Sequence, residues 1–390
     1  MGSLNLKIRD QNWLPESTPR VSVCCITYNQ EDFIAQCLDG ILMQETDFPV
    51  EVLVHDDAST DSTPAILEEY SIRYPGLIRV IRQSVNQYSQ GHRILPLVVP
   101  ECRGEFVAIC EGDDFWTDQT KLQLQQDLLR EHPNVSACFH DSTTIRQENE
   151  AWVAEFNTTW PRDEVLTEDL LEGNPAMTCT AFLRSEAFPR NPELFQGLKM
   201  GDLPLWIFYS LKGPILWIHR NMGAYRLHGA GSWSNKPQSQ MHYAIFECIA
   251  GMGELPSRLG VLHRSAVAMH LARYAVHLDK EQEGKAEVPI SRPMIQPALG
   301  LAEWEVFCDE YLNRSSWVFD GRSETCLPLL KRHLTELGCS GEQFETMLSK
   351  HYGKATPEET PENAPSIKPK SWFGRIREDI ERLAGVAKLP

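Results

Sequence analysis

No stretch of this 390-residue chain approaches the roughly 18 uninterrupted apolar residues of a bilayer-spanning helix. Its longest apolar runs, around Ile94 to Val99 and Phe106 to Cys110, are strand-sized. The leading residues, MGSLNLKIRDQNWLPEST, lack the apolar segment of a secretory signal. There is no CxxC pair, and none of the 11 cysteines has a histidine partner at metal-binding spacing. Their odd number, and the place of Cys24, Cys25 and Cys110 inside apolar runs, predict reduced, buried thiols in a cytoplasmic protein. Basic residues are few: 37 Lys plus Arg stand against 54 Asp plus Glu, a net charge of -17 that repels a phosphate backbone and excludes a general nucleic-acid binder. What remains is an ordinary folded composition, 42% hydrophobic and 23% charged, on a length that suits one large domain and a smaller one.

After a polar leader (1–19), the β-branched run Val21 to Ile26 predicts a buried strand that stops at Thr27-Tyr28-Asn29. Phe33, Ile34, Cys37, Leu38, Ile41 and Leu42 then recur at helical spacing. A second run, Val50 to Val54, ends in His55-Asp56-Asp57, and Ser59, Thr60 and Asp61 offer caps to a helix with Pro64 in its first turn. Leu77 to Ile81 and Phe106 to Cys110 read as further strands, the latter running into Glu111-Gly112-Asp113-Asp114. This alternation predicts an α/β fold with a mostly parallel sheet flanked by helices, whose polar motifs gather at the carboxyl edge where such sheets bind ligands. A helix follows from about Asp118 to Glu131, then a strand over Val135 to Phe139, an irregular stretch from Asn149 to Arg162, a helix from Pro204 to Lys212 and a strand over Ile215 to Ile218. From Gln238 the pattern turns helical (238–354), followed by a Pro-rich linker (355–370) and an amphipathic tail helix (371–390).

The strand-end motifs each carry two readings. Asp56 and Asp57 suit a uracil imide or ribose hydroxyls, or else Asp57 or Ser59 only caps the next helix. Three carboxylates within Glu111 to Asp114 repel one another unless a cation or solvent compensates; a hard divalent ion bridging to a diphosphate answers that need, and a solvated acidic turn is the alternative. Asp202, in Gly201-Asp202-Leu203-Pro204, is either a helix cap or a general base for an acceptor hydroxyl. His228 is either structural or a metal or phosphate contact. Trp206, Trp217, Trp233 and Tyr225 offer flat faces to sugar rings, though aromatics at such positions also build cores.

Together, Val21 to Asn29, Asp56 to Asp61, Asn86 with Gly91-His92-Arg93, Glu111 to Trp116, Gly201 to Trp206 and Tyr225-Arg226-Leu227-His228 resemble a family 2 glycosyltransferase of the inverting GT-A fold, over about residues 20–237. The resemblance implies that Thr27, Tyr28 and Asn29 line a nucleotide pocket, with Asp57 or Asp56 on the base and Asn86 and Arg93 on the nucleotide or its phosphates. It makes Asp113 the metal-binding carboxylate of a DxD motif, with Asp114 beside it and Glu111 in the place of the first Asp, facing ribose. Asp202 is then the base and His228 the further metal or diphosphate contact, with Mn2+ or Mg2+ as the ion. Trp116, Trp206 and Trp233 fall on the acceptor side. The implied partners are a nucleotide-sugar donor, usually of UDP, and a glycan, lipid-linked or protein acceptor.

Other classes fit less well. Thr27 to Asp32 holds no glycine and two acids, which excludes the GxGxxG of a dehydrogenase and the Gly-rich triphosphate loop of a nucleotidyltransferase. A non-catalytic nucleotide-sugar-binding or scaffold module of the same fold is the remaining alternative. In the tail, Trp372, Phe373, Ile376, Ile380 and Leu383 share a helical face with Arg375, Arg377 and Arg382 among the polar positions. That pattern predicts either a peripheral contact with the inner face of a membrane through 371–388 or packing on the protein itself. The 238–354 region is left open as acceptor cleft, oligomer contact or partner platform.

Overall fold

The computed structural model describes residues 6–249 apart from 12, 14–16, 149–150, 190–194, 196–197, 199, 230, 232–235 and scattered positions beyond 237. The helical region beyond 249, the linker, the tail helix and Trp233 lie outside the described residues. Among the described residues no helix is long and apolar enough to cross a membrane.

In chain order the elements are β1 (Leu6–Lys7), β2 (Val21–Thr27), α1 (Ile34–Leu42), β3 (Glu45–Thr46), β4 (Val50–Asp56), α2 (Thr63–Arg73), β5 (Ile78–Arg82), α3 (Leu95–Val98), β6 (Phe106–Glu111), β7 (Phe115–Trp116) and α4 (Lys121–Glu131). Then come β8 (Ala137–Glu148), β9 (Ala151–Thr158), β10 (Glu164–Val165), α5 (Thr167–Glu172), β11 (Phe182–Arg184), α6 (Asp202–Ser210) and β12 (Ile215–Leu227). The main sheet runs β10-β12-β8-β11-β6-β2-β4-β5, with β7 on β12 and β9 on β8. This is the mixed α/β, GT-A-type sheet that the resemblance implies. Pairings among β6, β2, β4 and β5 are all parallel; β2, β4 and β6 are buried almost throughout, whereas β5 at the sheet's edge includes arginines and is partly exposed.

Polarity along the sheet positions the site. Three-residue β11 runs antiparallel to both β6 and β8, so two reversals return β8 to the direction of β6, and β12 is parallel to β8. The carboxyl ends of β2, β4, β6, β8 and β12 therefore share one edge. Next to it, β7 pairs antiparallel with β12, Phe115 opposite Ala224, which draws the turn after β6 against the end of β12. Helix α1 buries Ile34, Cys37, Leu38 and Ile41 on the sheet and comes so close to β7 that a methyl group on Gly40 would sit 2.9 Å from the Trp116 carbonyl oxygen.

Two expectations are corrected, and one unassigned run gains an element. Residues 149–162 are not irregular throughout: β9 folds back on β8 as a long hairpin. The strand expected to end at Ile218 continues to Leu227 through two register shifts, and those irregularities around His219 to Asn221 break the alternation that would have revealed it. The apolar run Ile94 to Val99 forms the short helix α3 and a following 3-10 turn, started by Pro96 in its first positions.

Candidate functional site

The nucleotide-side residues of the sequence reading converge at the ends of β2 and β4, and most of their polar atoms hold backbone. Asp57, 3% exposed, accepts the N–H of Gln87 on Oδ1 (2.7 Å) and of Tyr88 on Oδ2 (2.9 Å), so it anchors the 83–93 loop rather than the next helix. Asp56, fully buried, accepts the Ser59 N–H at 3.0 Å, with the Arg82 guanidinium 3.6 Å away. Asn29 takes a left-handed φ of 51° and accepts the Thr60 N–H at 2.7 Å, while Asn86 closes a turn onto the Ser89 N–H at 2.6 Å. Thr27 donates to Gln30 Oε1 at 2.7 Å. Tyr28 leaves its ring 45% exposed beside this cluster. The Arg93 guanidinium lies 4.7 Å from the Tyr88 ring, and its side chain packs within 4 Å of where a Gly201 Cβ would be, so Arg93 spans from the nucleotide loop to the start of α6.

The acidic residues gather where β6, β7, β12 and α6 meet. His228 Nε2 lies 3.0 Å from Asp113 Oδ2 although the two positions are far apart in sequence. Gly112 lets the turn pass close to β2 and α1: a methyl group would stand 2.4 Å from Gln30 Oε1 and 2.8 Å from Thr27 Oγ1. Asp202 opens α6 and accepts from Asn174 Nδ2 on Oδ2 at 2.5 Å. Burial pushes the Glu111 carboxyl well up, and Asp114, Asp113 and Asp202 push it the same way against a hydrogen bond from Thr178, so all four acids act on one small volume. Burial and then Asp113 raise Asp114 as well, opposed by the Arg226 N–H. Asp202 is raised by burial, held back by the Leu203 N–H, its own N–H and Asn174. A raised carboxylate pKa moves an acid toward the range where proton transfer near neutral pH is efficient.

Whether this cluster suits a divalent cation is decided by its donors. Asp113 and His228 present a carboxylate oxygen and an imidazole nitrogen to the same point. Asp114 does not join them: it is fully buried, Oδ1 accepts from the Arg226 N–H at 2.9 Å, and Oδ2 has no hydrogen-bond partner among the described residues. Among the described residues no three His, Cys, Asp or Glu side chains form a group that could hold an ion on their own. Of the expected set Asp113, Asp114 and His228, the structure brings Asp113 and His228 together and sets Asp114 apart. Two protein donors with positions left over for diphosphate oxygens and water still fit Mg2+ or Mn2+, which are commonly bound in that shared way.

The acceptor-side tryptophans are corrected too. Trp116 is 1% exposed, donates its indole N–H to the Cys179 carbonyl at 2.9 Å and carries the Lys121 ammonium 3.9 Å from its ring centre. Trp206 is fully buried against Phe139. Both are core residues with no face for a sugar. Conversely, sequence reading assigned no role to Asn174, Trp152 or Arg226. Arg226 had a signal, lying inside the quoted Tyr-Arg-Leu-His run, whereas Asn174 and Trp152 sit in stretches without periodicity.

Together with this carboxylate-rich edge, similarity to known proteins points to glycosyl transfer. Residues 22–188 match the model of glycosyl transferase family 2. An uncharacterized protein of Mycobacterium tuberculosis is 38% identical over 214 residues, covering 55% of this chain and 60% of its own. Chondroitin synthase of Escherichia coli is 24% identical over 248 residues, 62% of this chain and 33% of the synthase. The crystal structure of S. aureus TarS 1–349 in complex with UDP-GlcNAc superposes with a TM-score of 0.49 at 19% identity, covering 75% of this chain and 82% of that one.

Proposed function

We propose that the protein is an inverting glycosyltransferase that moves a sugar from a nucleotide-diphosphate donor, a UDP-sugar in the first instance, to a hydroxyl acceptor in glycan assembly. The reading is carried by the Asp113–His228 contact in a domain of this family, set where the Glu111 carboxyl feels both Asp113 and Asp202. The family relationship to a chondroitin synthase favours glycan assembly as the setting.

In this reading Tyr28 stacks on the base while Asp57 holds the loop that carries Tyr88 against it. The Arg93 guanidinium, between that loop and α6, pairs with diphosphate oxygens. Asp113 and His228 would hold a divalent cation, which when bound would supply positive charge toward the departing diphosphate. Asp202, oriented by Asn174, accepts the acceptor's hydroxyl proton while that oxygen forms a bond to the anomeric carbon. The bond from that carbon to the diphosphate oxygen breaks, and its electron pair leaves with the nucleoside diphosphate. One displacement inverts the anomeric centre, and no second carboxylate acts as a nucleophile.

The test is a panel of nucleotide sugars incubated with Mn2+, scored by thermal shift and by release of the nucleoside diphosphate, with Asp113→Asn alongside. The expected result is stabilisation by one donor class, slow hydrolysis by the native protein, and loss of hydrolysis in Asp113→Asn. Nucleotide binding that needs no metal, with no turnover of any donor, would establish a binding module instead.

A further inference from the structure

Beneath the acidic turn sits a fixed positive charge. Arg226 is 3% exposed. Its guanidinium lies 4.4 Å from the Phe115 ring centre, 5.2 Å from Phe33 and 5.4 Å from Trp152, inside an aromatic box contributed by β7, the residue before α1 and the β8–β9 hairpin. Three of its donors are used. Nη1 donates to the Asp113 carbonyl, Nη2 to Gln36 Oε1, and the backbone N–H to Asp114 Oδ1. The guanidinium therefore ties the backbone of the turn to α1, while the backbone N–H at the same position holds the Asp114 carboxylate. The Phe33 ring also rests 4.7 Å from the His228 ring.

A buried carboxylate whose second oxygen has no partner among the described residues needs a nearby cation, or it repels its neighbours. Arg226 acts electrostatically on Asp114, and its backbone is held by pairing with β8, Arg226 opposite Ile145. A guanidinium suits the position because its planar fork bonds two acceptors while lying among rings, which an ammonium cannot do.

We propose that Arg226 is the positioning residue of the site: from inside the aromatic box it fixes the Asp113–Asp114 turn and balances the charge of Asp114, so that Asp113 and His228 face one cation. This rests on the function proposed above and adds to it the residue that makes the two-donor cation grip.

The experiment is a Mn2+ titration of the full-length protein with UDP present, followed by the electron paramagnetic resonance signal of free Mn2+, for native protein, Arg226→Met, Arg226→Lys and Arg226→Met/Asp114→Asn. Thermal unfolding is recorded for each. Arg226→Met is expected to weaken Mn2+ about 10- to 100-fold, as loss of outer-shell partners does. Arg226→Lys is expected to fall between, and adding Asp114→Asn to recover about tenfold, because the charge to be balanced is gone. Folded Arg226→Met with native Mn2+ affinity, or no recovery from Asp114→Asn, overturns the proposal. Where Arg226→Met fails to fold, refolding by Asp114→Asn supports it, and native Mn2+ affinity in Arg226→Lys overturns it. Native protein that binds neither Mn2+ nor UDP sinks the proposed function itself, whereas failure confined to the Arg226 comparison leaves that function standing.

Discussion

The two parts of the sheet's carboxyl edge treat their polar groups in opposite ways. At the ends of β2 and β4, carboxylates and amides close on backbone: Asp57 on Gln87 and Tyr88, Asp56 on Ser59, Asn29 on Thr60, Asp61 on Glu31 and Thr63. In the second region, where β6, β12 and α6 meet, Glu111, Asp113, Asp114 and Asp202 each find a donor, yet four acids act on one small volume against the buried guanidinium of Arg226. The first region is built to hold its shape without help. The second carries an imbalance of charge that a ligand would resolve, which is the usual mark of a site where chemistry occurs.

The sharpest way to break that contrast is Asp202→Asn. If Asp202 belongs to the reactive part alone, kcat for transfer should fall by about two to four orders of magnitude with UDP affinity unchanged. Steady-state kinetics alongside calorimetric titration with UDP decide it, and an equal drop in UDP affinity would merge the two regions. Next in size is Gly112→Ala at the seam between them. An added methyl would stand 2.4 Å from Gln30 Oε1, 2.8 Å from Thr27 Oγ1 and 2.9 Å from Ile34 Cδ1, so these side chains must repack, costing about 1–3 kcal/mol in urea unfolding. Donor affinity should fall with it, and an unchanged Cm would show the seam to be slack.

The smallest expected effect concerns the core under the site. Burial and then Lys121 push His140 well below its ordinary value, against the hydrogen bond to the Asp141 carbonyl. The unfolded chain thus takes up this proton first, so the contribution is present above about pH 6.5 and is lost as pH falls below it. The raised carboxyls of Glu111, Asp114 and Asp202 act in the other direction, gaining stability as pH falls toward their unfolded values. The readout is therefore a difference: between pH 7 and pH 5 the Tm of His140→Asn should drop less than that of the native protein. Parallel slopes would remove His140 from the balance.

Much of the parallel half was legible because its information is local. Val21 to Ile26, Val50 to Val54 and Phe106 to Cys110 are buried runs with helices between them, and each ends in polar residues at its carboxyl end. Asp113, Asp202 and His228 could be named from the resemblance, since each sits in its own short run. Their joining could not be read, because it depends on β11 restoring strand direction and on β7 pairing with β12. The tryptophans show the opposite error: an aromatic near a site motif says nothing about which way it faces. Trp116 faces inward, its indole N–H on the Cys179 carbonyl and its ring under the Lys121 ammonium, contacts that spacing does not encode.

The Asp113–His228 pair joins positions 115 residues apart. During synthesis the acidic turn leaves the ribosome long before its partner, and closing so wide a loop is favourable only once β12 has zipped along β8 and β7. The half of the edge that keeps its own shape is thus also the older half in the life of each molecule. A nascent chain halted before residue 215 can assemble β2, β4, β5 and β6 side by side, yet it lacks the imidazole that completes the grip.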